Sequence, residues 1–289
     1  MVALQISHTT TYRYKVPVML GPHRLMLRPR ESRELRLIGS TLTISPSATV
    51  TWANDIFGNA VATASFGEMT DTLTIQSELQ LKLEATDYPV FSIAASAICY
   101  PFSYSVAEWT DLGALALAGF PDPDGRLKAW AQAFVRSNPT DTLSLLKDLS
   151  EGISANIQYQ SRDDEGTQSP LQTLDRGWGS CRDFAILFIE AARALGFGAR
   201  VVSGYLYNAT GGALGSNGPG STHAWAEVFV PGAGWITFDS TNRSVGGSNL
   251  IPVAVTRDIS QAVPVSGNFT GAGDAFLGLS VEVYVTPAA

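Results

Sequence analysis

GWGSCRDFAILFIEAARALG, residues 177–196, sets a cysteine between a glycine-containing turn and an apolar run of helical period. Phe184, Leu187, Phe188, Ala191 and Leu195 recur at three- and four-residue intervals, which defines one buried face of a helix. Cys181 falls in its first turn, and Gly196 or Gly198 ends it. Free cysteines are among the most buried residue types, so packing alone would account for a lone one. Its place at a helix start gives it a second reading. The thiolate is the nucleophilic form, an ordinary thiol ionises only at roughly pH 8.5, and the positive end of a helix dipole favours the anion. Asp183 in the same turn suits that dipole, and Gly177 and Gly179 are expected to keep the approach to the thiol uncrowded.

Downstream, ARVVSGYLY (199–207) reads as a strand, followed by a loop over 208–222 with five glycines, expected to be mobile. HAWAEVFV (223–230) and GWITFD (234–239) read as two strands of a hairpin joined by PGA. The chain has only three histidines, and His8 and His23 lie far upstream, so His223 is the candidate base for the thiol. Asp239, sixteen residues on, closes the next strand. A hairpin centred on Pro231 sets the two directly opposite on one face. A register centred one residue later is expected to leave them close but on opposite faces. In this arrangement an imidazolium would stabilise the thiolate and protonate a leaving amine, and Asp239 would fix the ring's tautomer. The N–H groups of the first helical turn would bind an oxyanion. Trp178 beside the thiol and Trp225 on the face of His223 are the candidate substrate-binding residues. Tyr159, in NIQYQ, lies a short way upstream, and Cys99 reads as a buried or half-buried spectator.

The first part of the chain has a different period. Leu79, Leu81 and Leu83 in ELQLKLE alternate with polar neighbours, as do Leu4 and Ile6, with turns at GPH (21–23), SPS (45–47) and FGN (57–59). This reads as an antiparallel β-sandwich-like region with one wet face. Helical spacing returns in 124–137 and 140–154, where Thr140 or Asp141 is the N-cap. The tail LGLSVEVYV returns to β character. The expected division is therefore a β-rich domain over 1–115 and an α+β domain over 116–289 with a β tail.

A net charge of −7 with scattered basic residues argues against a nucleic-acid partner. The uncharged stretch 88–107 contains Pro89, Pro101 and four serines, so no membrane span is expected there. Two distant cysteines and the lack of a leader-like N-terminus point to a cytoplasmic address. No metal-ligand spacing, P-loop or nucleophile elbow occurs, so no metal and no cofactor is expected.

SCRDFAILFIEAARALGFGARVVSGYLY and HAWAEVFVPGAGWITFDSTN, in this order, resemble the transglutaminase-like superfamily, a papain-related group of thiol enzymes. YRYKVPVMLGPHRLMLRPR and NDIFGN resemble the β region that precedes this core in bacterial members. The resemblance implies that Cys181, His223 and Asp239 form a catalytic triad. Ser240 stands where the family more often has proline. It further implies an α+β fold, an N-terminal sandwich-like domain before a papain-like core, acting on a peptide or protein substrate by acyl transfer. Hydrolysis of an amide is the favoured outcome. Cross-linking of glutamine side chains to amines is the alternative, and a non-catalytic peptide-binding scaffold is a further one.

Overall fold

The computed structural model describes every residue except 163–165, 209–213, 215–219 and 289. Most of the glycine-rich loop, where mobility was expected, thus lies outside the described residues. The chain opens with β1 (Val2–Leu20), β2 (His23–Leu25), β3 (Leu35–Ser45), β4 (Ala48–Asn54), β5 (Ala60–Phe66) and β6 (Met69–Leu83). A connecting stretch carries β7 (Cys99–Tyr100) and α1 (Val106–Leu112), followed by α2 (Arg126–Gln132), β8 (Thr140–Asp141) and α3 (Thr142–Asn156). Then come β9 (Gln158–Tyr159), α4 (Pro170–Arg176), β10 (Trp178–Gly179) and α5 (Cys181–Ala194). The rest is strand: β11 (Gly198–Tyr207), β12 (Gly220–Val230), β13 (Gly234–Asp239), β14 (Ser244–Val245), β15 (Leu250–Thr256), β16 (Val265–Ser266), β17 (Phe269–Thr270) and β18 (Phe276–Pro287). The result is a strand-rich α and β fold, with an N-terminal β part ahead of a papain-like core.

Two antiparallel sheets build the N-terminal part. One runs β1–β6–β3, with β17 and β18 both paired to β1; the other runs β16–β2–β5–β4. Alternation places Leu73 and Ile75 of β6 and Tyr14 and Val18 of β1 on one inner face. They pack against Leu25, Ala62 and Ala64 of the facing sheet, which is the sandwich-like core the period-2 pattern predicts. The tail does not stay with the second half of the chain. β18 pairs along most of β1, from Leu4–Pro287 to Tyr14–Phe276. Backbone pairing therefore assigns 265–287 to the N-terminal sheets rather than to a block running from 116 to the end. Strand periodicity reveals that a tail is β but carries no record of which distant edge it completes.

The core is a mixed layer of helices on a five-stranded antiparallel sheet, β14–β13–β12–β11–β15. α5 packs on this sheet through Phe184, Leu187, Phe188 and Ala191, against Val201 of β11 and Ala226, Val228 and Phe238 of β12 and β13. Leu145, Leu146, Leu149 and Ile153 of α3 close the same cluster. α3 starts as its sequence implies: Asp141 accepts from the Ser144 amide at 2.7 Å. Farther along β11 and on β15 the sheet meets the sandwich, where Leu4, Ile6, Leu79 and Leu81 pack against Tyr205, Ile251 and Val253. His8 of β1 bonds the Tyr205 hydroxyl at 3.0 Å across this junction. Among the described residues no helix is long and apolar enough to cross a membrane. Cys99, expected to be sheltered, is exposed on the short β7 strand.

Candidate active site

The helix that carries Cys181 is fixed almost entirely by burial: every residue from Asp183 to Arg193 is buried, whereas Cys181 and Arg182 are half-buried. Asp183 does far more than complement a dipole. Its fully buried carboxylate accepts from the amide and hydroxyl of Ser180, both at 2.8 Å, which fixes the residue before the thiol. It also accepts from the Gln168 amide at 2.7 Å and forms an ion pair with Arg162 at 3.0 Å. Both partners lie in the polar segment 160–176, where apolar periodicity gives no signal. A buried acid at the third helical position, with an arginine upstream, was the one clue available.

The glycines before the thiol have duties other than those expected. Gly177 ends α4 with φ of +67°, a left-handed conformation that glycine adopts without penalty. At Gly179 a Cβ atom would lie 2.9 Å from the Cβ of Asp183, so the missing side chain makes room for that buried acid rather than for a ligand. Parallel pairing of β10 with β9 holds this approach in place, with Gly179 opposite Tyr159. Gln160 adds an amide bond to the Gly179 carbonyl at 2.9 Å.

β12 delivers the histidine. The observed hairpin pairs Val230 with Gly234 and Ala226 with Phe238, so its centre is Gly232, one residue later than Pro231. A turn closed by the Ala233 amide on the Val230 carbonyl, at 3.1 Å, sets that register. Moving the centre by one residue moves each partner by two, so the face is conserved, contrary to the expected separation onto opposite faces. His223 and Asp239 are diagonal neighbours on one face, and Nε2 meets Oδ2 at 2.9 Å. Three further bonds hold the carboxylate: from the Thr241 amide at 3.0 Å, the Asn242 amide at 3.3 Å and the Asn242 side chain at 2.8 Å. Asn242 was not foreseen, although an Asx-type turn just past a strand-ending aspartate is a recognisable local pattern. Ser240 bonds Ser150 of α3 at 2.9 Å and so ties the end of β13 to the helical layer.

The imidazole of His223 is buried between this carboxylate and the thiol. A carboxylate only accepts, so Nε2 carries the proton of the Asp239 bond. Nδ1 makes no hydrogen bond to oxygen or nitrogen among the described residues, and it is the ring atom left for the sulfur. Burial pushes the Cys181 thiol up, but the hydrogen bond and charge of His223, the Ala224 amide and Arg182 together bring it below its usual value. Burial likewise pulls His223 down, and the Asp239 carboxylate and the thiol outweigh it and raise the ring above its usual value. Asp239 is itself held low by His223 and Asn242 despite its burial. All three directions favour charged partners.

The two tryptophans part company. Trp178, three residues before the thiol in sequence, is half-buried, with Arg176 over its ring at 5.7 Å. Trp225, expected to contact substrate, is buried among Val202, Leu206, Leu250 and Val255. Its ring stacks on His223 with centroids 6.1 Å apart, so it backs the imidazole and offers no surface to a ligand. Glu227, on the same strand face, pairs with Arg200 at 2.7 Å, away from the sulfur. Among the described residues no cluster of His, Cys, Asp and Glu has the makings of a metal site.

Residues 4–82 match the bacterial transglutaminase-like N-terminal region, and residues 128–240 match the transglutaminase-like superfamily. An uncharacterised protein of Mycobacterium leprae is 22% identical over 293 residues, covering 98% of this chain and 99% of that protein. A cysteine-protease candidate from Cytophaga hutchinsonii has the same fold, with a TM-score of 0.73 at 21% identity, over 100% of this chain and 92% of that one. The periplasmic domain of TgpA from Pseudomonas aeruginosa gives a TM-score of 0.38 at 17% identity, over 84% of this chain and 88% of that one. The N-terminal region and the core thus both match, in order, the parts of bacterial transglutaminase-like proteins.

Proposed function

We propose that the protein is a cysteine peptidase or amidase that hydrolyses amide bonds of peptides or proteins through Cys181, His223 and Asp239. One observation carries the reading. Asp239 occupies Nε2 of His223 at 2.9 Å, which leaves Nδ1 as the base for the thiol at the start of α5. The thiol passes its proton to Nδ1, and the thiolate attacks the amide carbonyl carbon. Electrons displaced onto the carbonyl oxygen are met by the N–H groups of the first turn of α5. As the tetrahedral adduct collapses, the C–N bond breaks and the imidazolium protonates the departing amine. Water, deprotonated by the same ring, then cleaves the thioester.

The test is to expose peptide libraries to the protein with and without an added primary amine, using Cys181→Ala as the blank. Hydrolysis gives free carboxyl products at a rate the amine does not change. Products that carry the amine would replace hydrolysis by cross-linking, and failure to trap any acyl-enzyme would remove the amide substrate class.

A further inference from the structure

We propose that the Tyr159 hydroxyl is the second hydrogen-bond donor to the oxyanion formed at Cys181, a catalytic role that rests on the thiol reading above. Three placements carry it. First, the parallel β9–β10 pairing puts Tyr159 opposite Gly179, two residues before the thiol. Second, Cys181 and Phe184 are three residues apart and share a face of α5. The Tyr159 ring lies edge-on to Phe184, with centroids 6.1 Å apart. The phenol is thus held from both its backbone and its ring on the side of the helix where the sulfur emerges. Third, Tyr159 is half-buried in this position, neither sealed in the core nor free in solvent.

The chemistry of the group suits the task. Burial, followed by the charges of Cys181 and Asp239, pushes the phenol's ionisation up to about 12, against an opposing effect of Ser161. The phenol therefore keeps its proton across the working range of a thiol enzyme and can donate without being consumed. When the thiolate forms the C–S bond, the carbonyl π pair moves onto oxygen. The Tyr159 O–H and a first-turn N–H then hydrogen-bond that oxygen from two sides. Collapse restores the C=O bond and expels the leaving group with its electron pair, and the phenol proton never leaves its oxygen.

Two reactions of the same sulfur separate this role from a structural one. p-Nitrophenyl acetate acylates the thiol through a tetrahedral oxyanion, whereas iodoacetamide alkylates it by displacement and forms none. Tyr159→Phe is expected to slow acylation by about a hundredfold, the scale of one lost oxyanion donor, and to leave alkylation within about twofold of the parent. Unchanged acylation would overturn the proposal. Equal loss in both reactions would also overturn it, because the phenol would then set the thiolate or its position. Cys181→Ala is run alongside. If it releases p-nitrophenol as fast as the parent, the thiol reading itself has failed. If it is inert while Tyr159→Phe is unimpaired, only the role of Tyr159 has.

Discussion

Asp239 accepts from His223 Nε2 at 2.9 Å although the ladder joining their strands ends at Ala226 and Phe238, before either residue is reached. Each residue is paired on its outer side, His223 with Gly204 of β11 and Asp239 with Ser244 of β14, but no ladder joins the two to each other. The pair is held by the turn after β13, whose Thr241 and Asn242 amides fix the carboxylate, and by Trp225 stacked on the ring.

The carboxylate orients the ring and stabilises its charged form, so Asp239→Asn is expected to lower kcat by about a thousandfold. Far-ultraviolet circular dichroism should be unchanged, since asparagine keeps the size and can still accept from the Thr241 amide. Activity within tenfold of the parent would show that Asp239 is a turn residue only.

The thiol and the ring predict a pH window. A lowered thiol is ionised above its folded value and loses the anion as pH falls through it. A raised imidazole is charged below its folded value and loses the proton as pH rises through it. The ion pair therefore occupies the window between the thiol's lowered value and the ring's raised one. Alkylation of Cys181 by iodoacetamide should have its midpoint below the free-thiol value of roughly 8.5. In His223→Ala the midpoint should move above that value, because burial is then left with less opposition. An unmoved midpoint would mean that the two groups are not coupled.

Asp183 should be a stability residue as much as a positioning one. Asp183→Asn leaves Arg162 facing an uncharged amide, and the Nε of Arg162 already lacks a partner among the described residues. A loss of about 3 kcal/mol is expected from urea unfolding, in line with breaking a buried ion pair. A loss under about 1 kcal/mol would place the pair among surface-like bridges.

His8 adds an acid-side prediction far from the thiol. Burial lowers its ring from 6.5 to about 4 in the folded state, so the neutral form is the one that is folded around. Stability from this group is fully present above pH 6.5 and is lost as pH falls from there towards 4. The total is about 3 kcal/mol, at about 1.4 kcal/mol per pH unit. His8→Gln should remove that slope from a plot of unfolding free energy against pH, whatever it does to stability at neutrality. An identical slope in parent and variant would contradict it.

Much of the fold was legible because each part buries one face. The helical period of residues 184–195 and the alternation in ELQLKLE announced their packing directly. The pairing of His223 with Asp239 was also readable, since histidine is scarce and a hairpin limits how far apart its strands can be. What escaped were relationships that periodicity does not encode. Hairpin register depends on the turn closed at Ala233, and a shift of its centre preserves the face, which made the expected contrast between registers unsound. Gly179 serves a buried acid four residues away, visible only once the helix is packed. Trp225 looks like a cleft residue by its strand face, but Val202, Leu206, Leu250 and Val255 enclose it, with Phe57 packed against them.

The pairing of β1 with β18 has a consequence for how the molecule is made. β1 lies between β6 and β18, so one of its edges remains open until everything between Leu20 and Phe276 has been synthesised. An open edge is a template for the wrong strand, and the helical core must form while it waits. A Cβ at Gly220, where β12 begins three residues before His223, would lie 2.4 Å from Val285 of the closing strand. The strand that seals the sheet thus also supports the strand that bears the histidine. A chain that lacks β18 would lack this brace behind His223, so the nucleophile's partner depends on the strand that closes the sandwich.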